Sequence, residues 1–317
     1  MKSFLNDKHL QNEEAAYAWV EARIWPNGPV CPHCGGVERI SKMGGKSTRI
    51  GAYKCYQCRK PFTVKVGTIF EASHVPMHLW LQAIYLLSSS KKGISSNQLH
   101  RTLGCTLKTA WFISHRVREA MRDGGLAPMG GAGGIVEADE TYFGPTKEKK
   151  VSPQRKGRPF TKGGRTGPAN KRAIISLVER GGKVRSFHVE NADKLTVVGI
   201  VTENIDKETR LHTDESRLYT GADTYFASHE TVKHSAKEYA RGDVNTNSVE
   251  GFFSIFKRGM KGVYQHCGER HLHRYLSEYD FRYNNRIAIG VNDEARAEIA
   301  LKGIVGKRLT YQTTSES

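Results

Sequence analysis

The sequence contains no run of eighteen apolar residues, so no segment of it can cross a bilayer as a helix. Its opening stretch, MKSFLNDKHLQNEEAAYAW, lacks the basic-then-apolar layout of a secretory signal. Cysteine is scarce: six occur in 317 residues, too few and too unevenly spread for a disulfide framework. Internal repeats are absent, so the chain is not an array of stacked units. Acidic residues are few against basic ones, 32 to 49, which leaves a formal net charge of +17 and a pI near 9.6.

These absences describe a soluble, cytoplasmic protein with room for two or three domains and a sizeable core. A fold does not require such an excess of Lys and Arg. A polyanionic partner does, because basic side chains set along phosphates release condensed counterions. Nucleic acid therefore fits better than a phospholipid surface.

Organisation follows from composition. Residues 1–72 read as an N-terminal helix and a Gly- and Lys-rich stretch with short strands. Residues 73–123 change to helical periodicity. The stretch 124–134, Gly-rich and nearly uncharged, reads as a linker. Residues 135–290 start with strand-like segments and end in helices, and 291–317 read as a helical tail. Inside the third region, 145–172 is dominated by Lys, Arg, Gly and Pro and reads as a flexible basic loop. Arg155, Lys156 and Arg158 in that loop are candidate contacts to DNA.

Four of the cysteines, Cys31, Cys34, Cys55 and Cys58, form C-x2-C-x20-C-x2-C. Each CxxC presents two thiolates from one turn, and two such turns complete a tetrahedron suited to Zn2+. The set is closed, hence structural, and reads as a zinc ribbon. His33 is a weak competing ligand, and Cys105 and Cys267 read as apolar fillers.

The segment GISSNQLHRTLGCTLKTAWFISHRVREAM has the layout of a helix-turn-helix. Ser95 and Thr106 can cap its two helices, and Gly104 can end the first. Leu107, Ala110, Trp111 and Ile113 are expected to face a core. Lys108, Thr109, Ser114 and Arg118 are then left for a DNA groove. A plain helical hairpin is the competing reading.

The strand GIVEADETYFG is unusual because it carries Glu137, Asp139 and Glu140 among apolar residues. Burying carboxylates in a sheet is costly unless a cation compensates. Alternation predicts Glu137 and Asp139 on one face and Glu140 on the other. Asp214 ends a second apolar strand, where an aspartate ordinarily caps a turn. The order β-β-β-α-β suggests a ribonuclease-H-like mixed sheet with flanking helices, an α/β fold in which the first and fourth strands are neighbours. Asp139 and Asp214 would then meet.

In NSVEGFFSIFKRGM, Val249, Phe252, Phe253, Phe256 and Met260 form an apolar stripe at helical spacing. Glu250 lies at its rim, Asn247 one turn before and Lys257 two turns after, where it could hold a phosphate. Three converging carboxylates can bind two divalent cations for in-line phosphoryl transfer. In HLHRYLSEYDFRYNNR, Leu272, Tyr275, Leu276, Tyr279 and Tyr283 read as core. Arg274, Arg282 and Arg286 are candidates for phosphate contact, and His266, His271 and His273 read as an exposed face rather than metal ligands.

The combination VEADETYFG…HTDES…NTNSVEGFFSIFKRG…HLHRYLSEYDFRYNNR, behind a ribbon and a helix-turn-helix, resembles the zinc-ribbon DDE transposases of bacterial insertion sequences, in the insertion sequence fifteen-ninety-five family. The resemblance runs over roughly residues 5–290. It implies Asp139, Asp214 and Glu250 as the catalytic triad, holding Mg2+ or Mn2+, with thirty-five residues between the last two. It also implies Lys257 and Asn247 as supporting residues, and places Asn245 where the family commonly has histidine. The implied activity is that of a DNA transposase. It would bind terminal inverted repeats, free a 3′-OH and join it to target DNA, as a homodimer or larger assembly on DNA at the nucleoid. Two other readings are a DNA-binding regulator that no longer catalyses, and a nuclease that cuts without joining.

Overall fold

The structure is a computed structural model that describes residues 4–124, 127–147, 161–162, 165–166, 170–236, 238 and 240–310. It has two units, Met1–Arg122 with Asn285–Ser317, and Asp123–Asn284. Among the described residues no helix is long and apolar enough to cross a membrane.

In the first unit, helices α1 (Lys8–Gln11) and α2 (Glu13–Ile24) are divided at Asn12, whose side chain accepts the Ala15 N–H at 2.9 Å to cap α2. Three short strands follow, β1 (Ile40–Lys42), β2 (Tyr53–Cys55) and β3 (Pro61–Phe62), paired antiparallel in that order. So small a sheet has little core of its own. Trp25 and Phe62 pack against Tyr53, joined by Ile40, Val66 and the cysteines Cys31, Cys55 and Cys58. The next helix, α3 (Met77–Ser89), is apolar nearly all round and buries Met77, Trp80, Leu81, Ala83, Ile84 and Leu87.

Helices α4 (Ser96–Leu103) and α5 (Leu107–Met121) are joined by a three-residue turn. Ser95 accepts the Gln98 N–H and Thr106 the Thr109 N–H, both at 3.1 Å. Gly104 ends α4 at φ 66°, a left-handed conformation that costs glycine little. The caps thus sit where the sequence predicts them. The C-terminal helix, Asp293–Lys302, belongs to this unit. Its Arg296 guanidinium donates to the Ser88 carbonyl at the end of α3, 3.1 Å away.

The second unit is built on a five-stranded sheet. Its strands are β4 (Ile135–Pro145), β7 (Lys171–Glu179), β8 (Val184–Val189), β9 (Arg210–Asp214) and β10 (Ser228–Val232), in the order β10-β9-β4-β7-β8. Between β4 and β7 lies the small antiparallel pair β5 (Thr161–Lys162) and β6 (Arg165–Thr166). β4, β7 and β8 run antiparallel, while β9 and β10 run parallel to β4. This is the ribonuclease-H-like mixed sheet, and it makes the first and fourth of its strands neighbours. Helix α6 (Lys194–Asn204) forms the crossover into β9, as parallel pairing demands.

Each face of the sheet has its own core. Val136, Ala138, Ile175 and Leu177 pack with Val197 and Val201 of α6 on one side. On the other, Ile174 and Val178 pack against α7 (Asn247–Gly259) and α8 (Leu272–Asn284). The stripe Val249, Phe252, Phe253, Phe256 and Met260 is buried there, as its period predicts. Truncating Phe256 to alanine would cost about 3–5 kcal/mol.

Part of the Gly-rich stretch 124–134 is docked on this unit. The Met129 N–H donates to Asn204 O at 2.8 Å, and the Asp206 N–H to Met129 O at 2.9 Å. At Gly130 (φ 84°) a Cβ would fall 2.3 Å from Thr209 Oγ1, so only glycine permits the approach. The basic-loop candidates Arg155, Lys156 and Arg158 lie outside the described residues.

Candidate active site

The four ribbon sulfurs come together. Each CxxC folds into a tight turn, with Cys31 O accepting the Gly35 N–H at 2.8 Å and Lys60 O accepting the Cys55 N–H at 3.1 Å. Cys31 Sγ lies 3.6 Å from Cys58 Sγ, and Cys34 Sγ lies 3.7 Å from Cys55 Sγ. A tetrahedron with Zn–S bonds of about 2.3 Å has edges of about 3.8 Å, so the cage fits zinc. His33 is exposed and stands outside the four-sulfur group. The donor set is complete without solvent, which makes the site structural.

The acidic site forms at the sheet edge where β9 ends. β4 and β9 pair through Glu137 and His212, so two residues further along each strand Asp139 and Asp214 stand side by side. Their carboxylates and that of Glu140 have oxygens that all lie within 4.8 Å of one another. Glu140 is the addition. Alternation turns it to the α6 face, where Ser216 Oγ and Tyr219 Oη each donate to it at 3.2 Å. Its long side chain nonetheless brings the carboxylate to the edge, because β9 stops at Asp214. No period in the sequence signals this; the signal is the adjacency of two carboxylates, Asp139 and Glu140, within one strand.

Crowding of like charge sets the electrostatics. The Asp139 carboxyl is pushed up to about 8, first by burial and then by the charges of Asp214 and Glu140. Glu140 is raised as well, by burial and then by Asp214. Such a cluster favours a cation, since its members cannot all stay ionised at close range without one. Hard oxygen donors of this kind suit Mg2+ or Mn2+.

Glu250 stands apart from the tight group. It is exposed near the start of α7, where its Oε1 accepts from Thr246 Oγ1 at 2.9 Å. Its charge nevertheless adds to those raising Asp139. His234 Nε2 lies 3.5 Å from the same oxygen. An imidazole thus reaches Glu250 from position 234, while residue 245 is an asparagine. Glu215, next to Asp214, is spent elsewhere: it accepts from the Ser235 N–H at 2.8 Å and Ser235 Oγ at 2.7 Å, which holds the turn carrying His234.

Lys257 is half-buried, and burial lowers its ammonium pKa while Asp139 opposes the shift. Its ammonium lies 5.8 Å from the centre of the Phe253 ring. Asn247 is the exposed first residue of α7.

Several expected DNA contacts are corrected. Ser114 and Arg118 are buried, and Arg118 Nη1 donates to Ser114 Oγ at 3.1 Å. Ala110 is inward as expected and every residue from Ile113 to Met121 is buried, whereas Leu107 is exposed. The second half of α5 is enclosed on all sides, so its polar residues Ser114 and Arg118 are not left for a groove. Lys108 stays exposed, and Thr109 is half-buried with its hydroxyl 2.8 Å from that of Thr106. Arg282 is also inward, paired with the buried Glu278 and lying 4.5 Å over the Tyr279 ring. The spacing of four between Glu278 and Arg282 is the signal for that pair. Arg286 is half-buried, as is Arg274, whose Nη1 lies 2.8 Å from His271 Nδ1.

Comparison with known proteins agrees with this arrangement. The ISXO2-like transposase domain matches residues 131–284, and the transposase zinc-ribbon domain matches residues 11–61. A protein of the transposable element ISH50 from Halobacterium salinarum is 26% identical over 287 residues, 89% of this chain and 92% of its own length. A transposase-like protein of Haemophilus influenzae is 27% identical over 103 residues, 32% of this chain and 82% of its own length. Among solved structures, a Mos1 strand transfer complex is a weak match, 14% identical over 70% of this chain and 73% of that one, with a TM-score of 0.28. With the two domain matches following one another along more than half of its length, and Asp139, Glu140 and Asp214 falling inside the ISXO2-like one, the chain belongs to the zinc-ribbon transposases that carry an ISXO2-like domain.

Proposed function

We propose that the protein is a DNA transposase that frees a 3′-OH at the ends of its own element and joins it to target DNA by metal-dependent phosphoryl transfer. The observation that carries this reading is the gathering of Asp139, Glu140 and Asp214 within 4.8 Å where β9 ends beside the middle of β4, in a chain with a transposase domain.

Asp139 and Asp214 hold divalent cations of the Mg2+ or Mn2+ type, and Glu250 supplies the third carboxylate from α7. When bound, such cations neutralise charge on the attacking and leaving oxygens of an in-line displacement. Glu140 adds negative charge to the same edge and is kept there by Ser216 and Tyr219. Lys257 sets a cation beside the cluster that can hold a phosphate, and Asn247 stands at the mouth of the helix. The α4–α5 pair presents Lys108 and Thr109 to the terminal repeats, with the ribbon and the basic residues Arg155, Lys156 and Arg158 adding phosphate contacts. The four cysteines hold a structural Zn2+. Two or more copies act together on paired ends in the cytoplasm, at the nucleoid.

Incubating the protein with DNA from the element's ends and Mg2+ tests this. The expected products are a nick with a 3′-OH, followed by strand transfer into a second duplex. Cutting without joining would make it a nuclease, and binding without cutting a regulator.

A further inference from the structure

One carboxylate of the sheet takes no part in that chemistry. Glu137 lies two residues before Asp139 on the same face of β4, and its side chain is fully buried. A buried carboxylate is tolerated only if its charge and its lone pairs are satisfied. Glu137 finds its partners in two places.

The first is the start of α7. Thr246 occupies the N-cap position, but its hydroxyl donates to Glu250. The groups of the first turn turn to the neighbouring strand instead. Glu137 Oε2 accepts the Ser248 N–H at 2.7 Å and the Val249 N–H at 3.1 Å, and Glu137 Oε1 accepts Ser248 Oγ at 3.0 Å. An anion at this end of a helix is also favoured by the helix dipole.

The second is Arg180, in the turn after β7. Its Nε and Nη2 donate to Glu137 Oε1 at 3.1 and 2.8 Å. The same guanidinium donates to Asp243 O at 2.7 Å and Asn245 O at 3.2 Å, in the segment leading into α7. One ion pair therefore joins β4, the turn after β7 and the approach to α7.

We infer that Glu137, held by Arg180, is a positioning residue that caps α7 from the adjacent strand and so fixes Glu250 relative to Asp139. The two ligands come from different elements, and this bond set is two residues from Asp139 on one side and one or two from Glu250 on the other. Thr246 is thereby released from capping and orients the Glu250 carboxylate. The inference rests on the reading of Asp139 and Glu250 as metal ligands.

The test is Mn2+ binding to the full chain without DNA, by titration calorimetry well below the melting temperature, for wild type, Glu137→Gln and Glu250→Gln. Glutamine keeps the shape of Glu137, removes its charge and can no longer accept on both atoms. The expected result is a cooperatively folded Glu137→Gln protein with Mn2+ affinity lowered about tenfold, in the range typical of groups that orient ligands. A purely structural role would lower the melting temperature and leave Mn2+ affinity unchanged, which overturns the inference. If Glu250→Gln also binds as wild type does, the ligand assignment itself fails and the inference with it. Should Glu137→Gln not fold, Arg180→Lys, which keeps the charge but loses the fork, carries the same expectation and the same contradiction.

Discussion

The ribbon and the sheet edge each gather groups that could hold a metal ion, one Cys31, Cys34, Cys55 and Cys58, the other Asp139, Glu140 and Asp214. In the ribbon, two short turns bring four sulfurs into a cage that is complete without solvent. At the sheet edge, carboxylates arrive from two parallel strands, and Glu250 of α7 stays exposed and outside the tight group. Soft donors in a closed set stabilise a fold. Hard donors in an open set leave positions for a substrate. The difference also shows in what each site costs the protein. The cage stands in for a hydrophobic core, whereas the acidic edge concentrates like charge that the surrounding structure must hold.

That contrast can be broken most severely at the cage. Cys55→Ser should release zinc, worth about 10 kcal/mol of folding energy to a small zinc module. The ribbon should unfold while the melting of the sheet unit is unchanged, as read by circular dichroism and zinc content. Coincident loss of both units would contradict the separation. A smaller effect is expected at Glu140. Glu140→Gln leaves Asp139 and Asp214 in place but relieves part of the repulsion, so cleavage should fall about tenfold to a hundredfold. Unchanged cleavage would place Glu140 outside the working site.

The smallest effect separates the two regions by pH. Zinc-bound cysteines must be deprotonated, so the ribbon loses metal on acidification. The sheet unit should respond in the opposite direction. Asp280 of α8 accepts the Ser186 N–H at 2.8 Å and Ser186 Oγ at 2.7 Å, and burial pushes its carboxyl up to about 7 from 3.8. The folded state then binds the proton more tightly than the unfolded chain. The stability this brings is present below the unfolded value and is lost as pH rises through about 7. Asp280→Asn should reduce that slope in denaturant titrations between pH 4 and 8, leaving the part contributed by Asp139, which is raised to about 8. A slope unchanged by the substitution would assign it to Asp139 and not to Asp280.

The same contrast explains what could be read from residue order alone. Spacing makes the cage legible, because ligands on two short turns are fixed by local geometry. The stripe from Val249 to Met260 is legible for a similar reason, since helical period decides its burial. The meeting of Asp139 and Asp214 needs only the strand order. Glu140 is different: alternation assigns it to the opposite face, and its arrival depends on where β9 stops and on Ser216 and Tyr219. Ser114 and Arg118 mislead because polarity suggests a groove, whereas packing buries them together as a bonded pair. Glu137 stands out in the sequence only as a carboxylate in an apolar strand, and its partners Arg180, Ser248 and Val249 come from distant positions that residue order does not signal.

The most direct test of the central claim is strand cleavage and joining on the element's own DNA ends in Mn2+, comparing wild type with Asp214→Asn. Asparagine keeps the shape of the side chain and removes one anionic ligand of the edge. The account predicts that the variant still binds the ends and keeps its zinc. Cleavage and joining should both drop by about a thousandfold, the loss of several kcal/mol of charge stabilisation. Full activity in Asp214→Asn would contradict it.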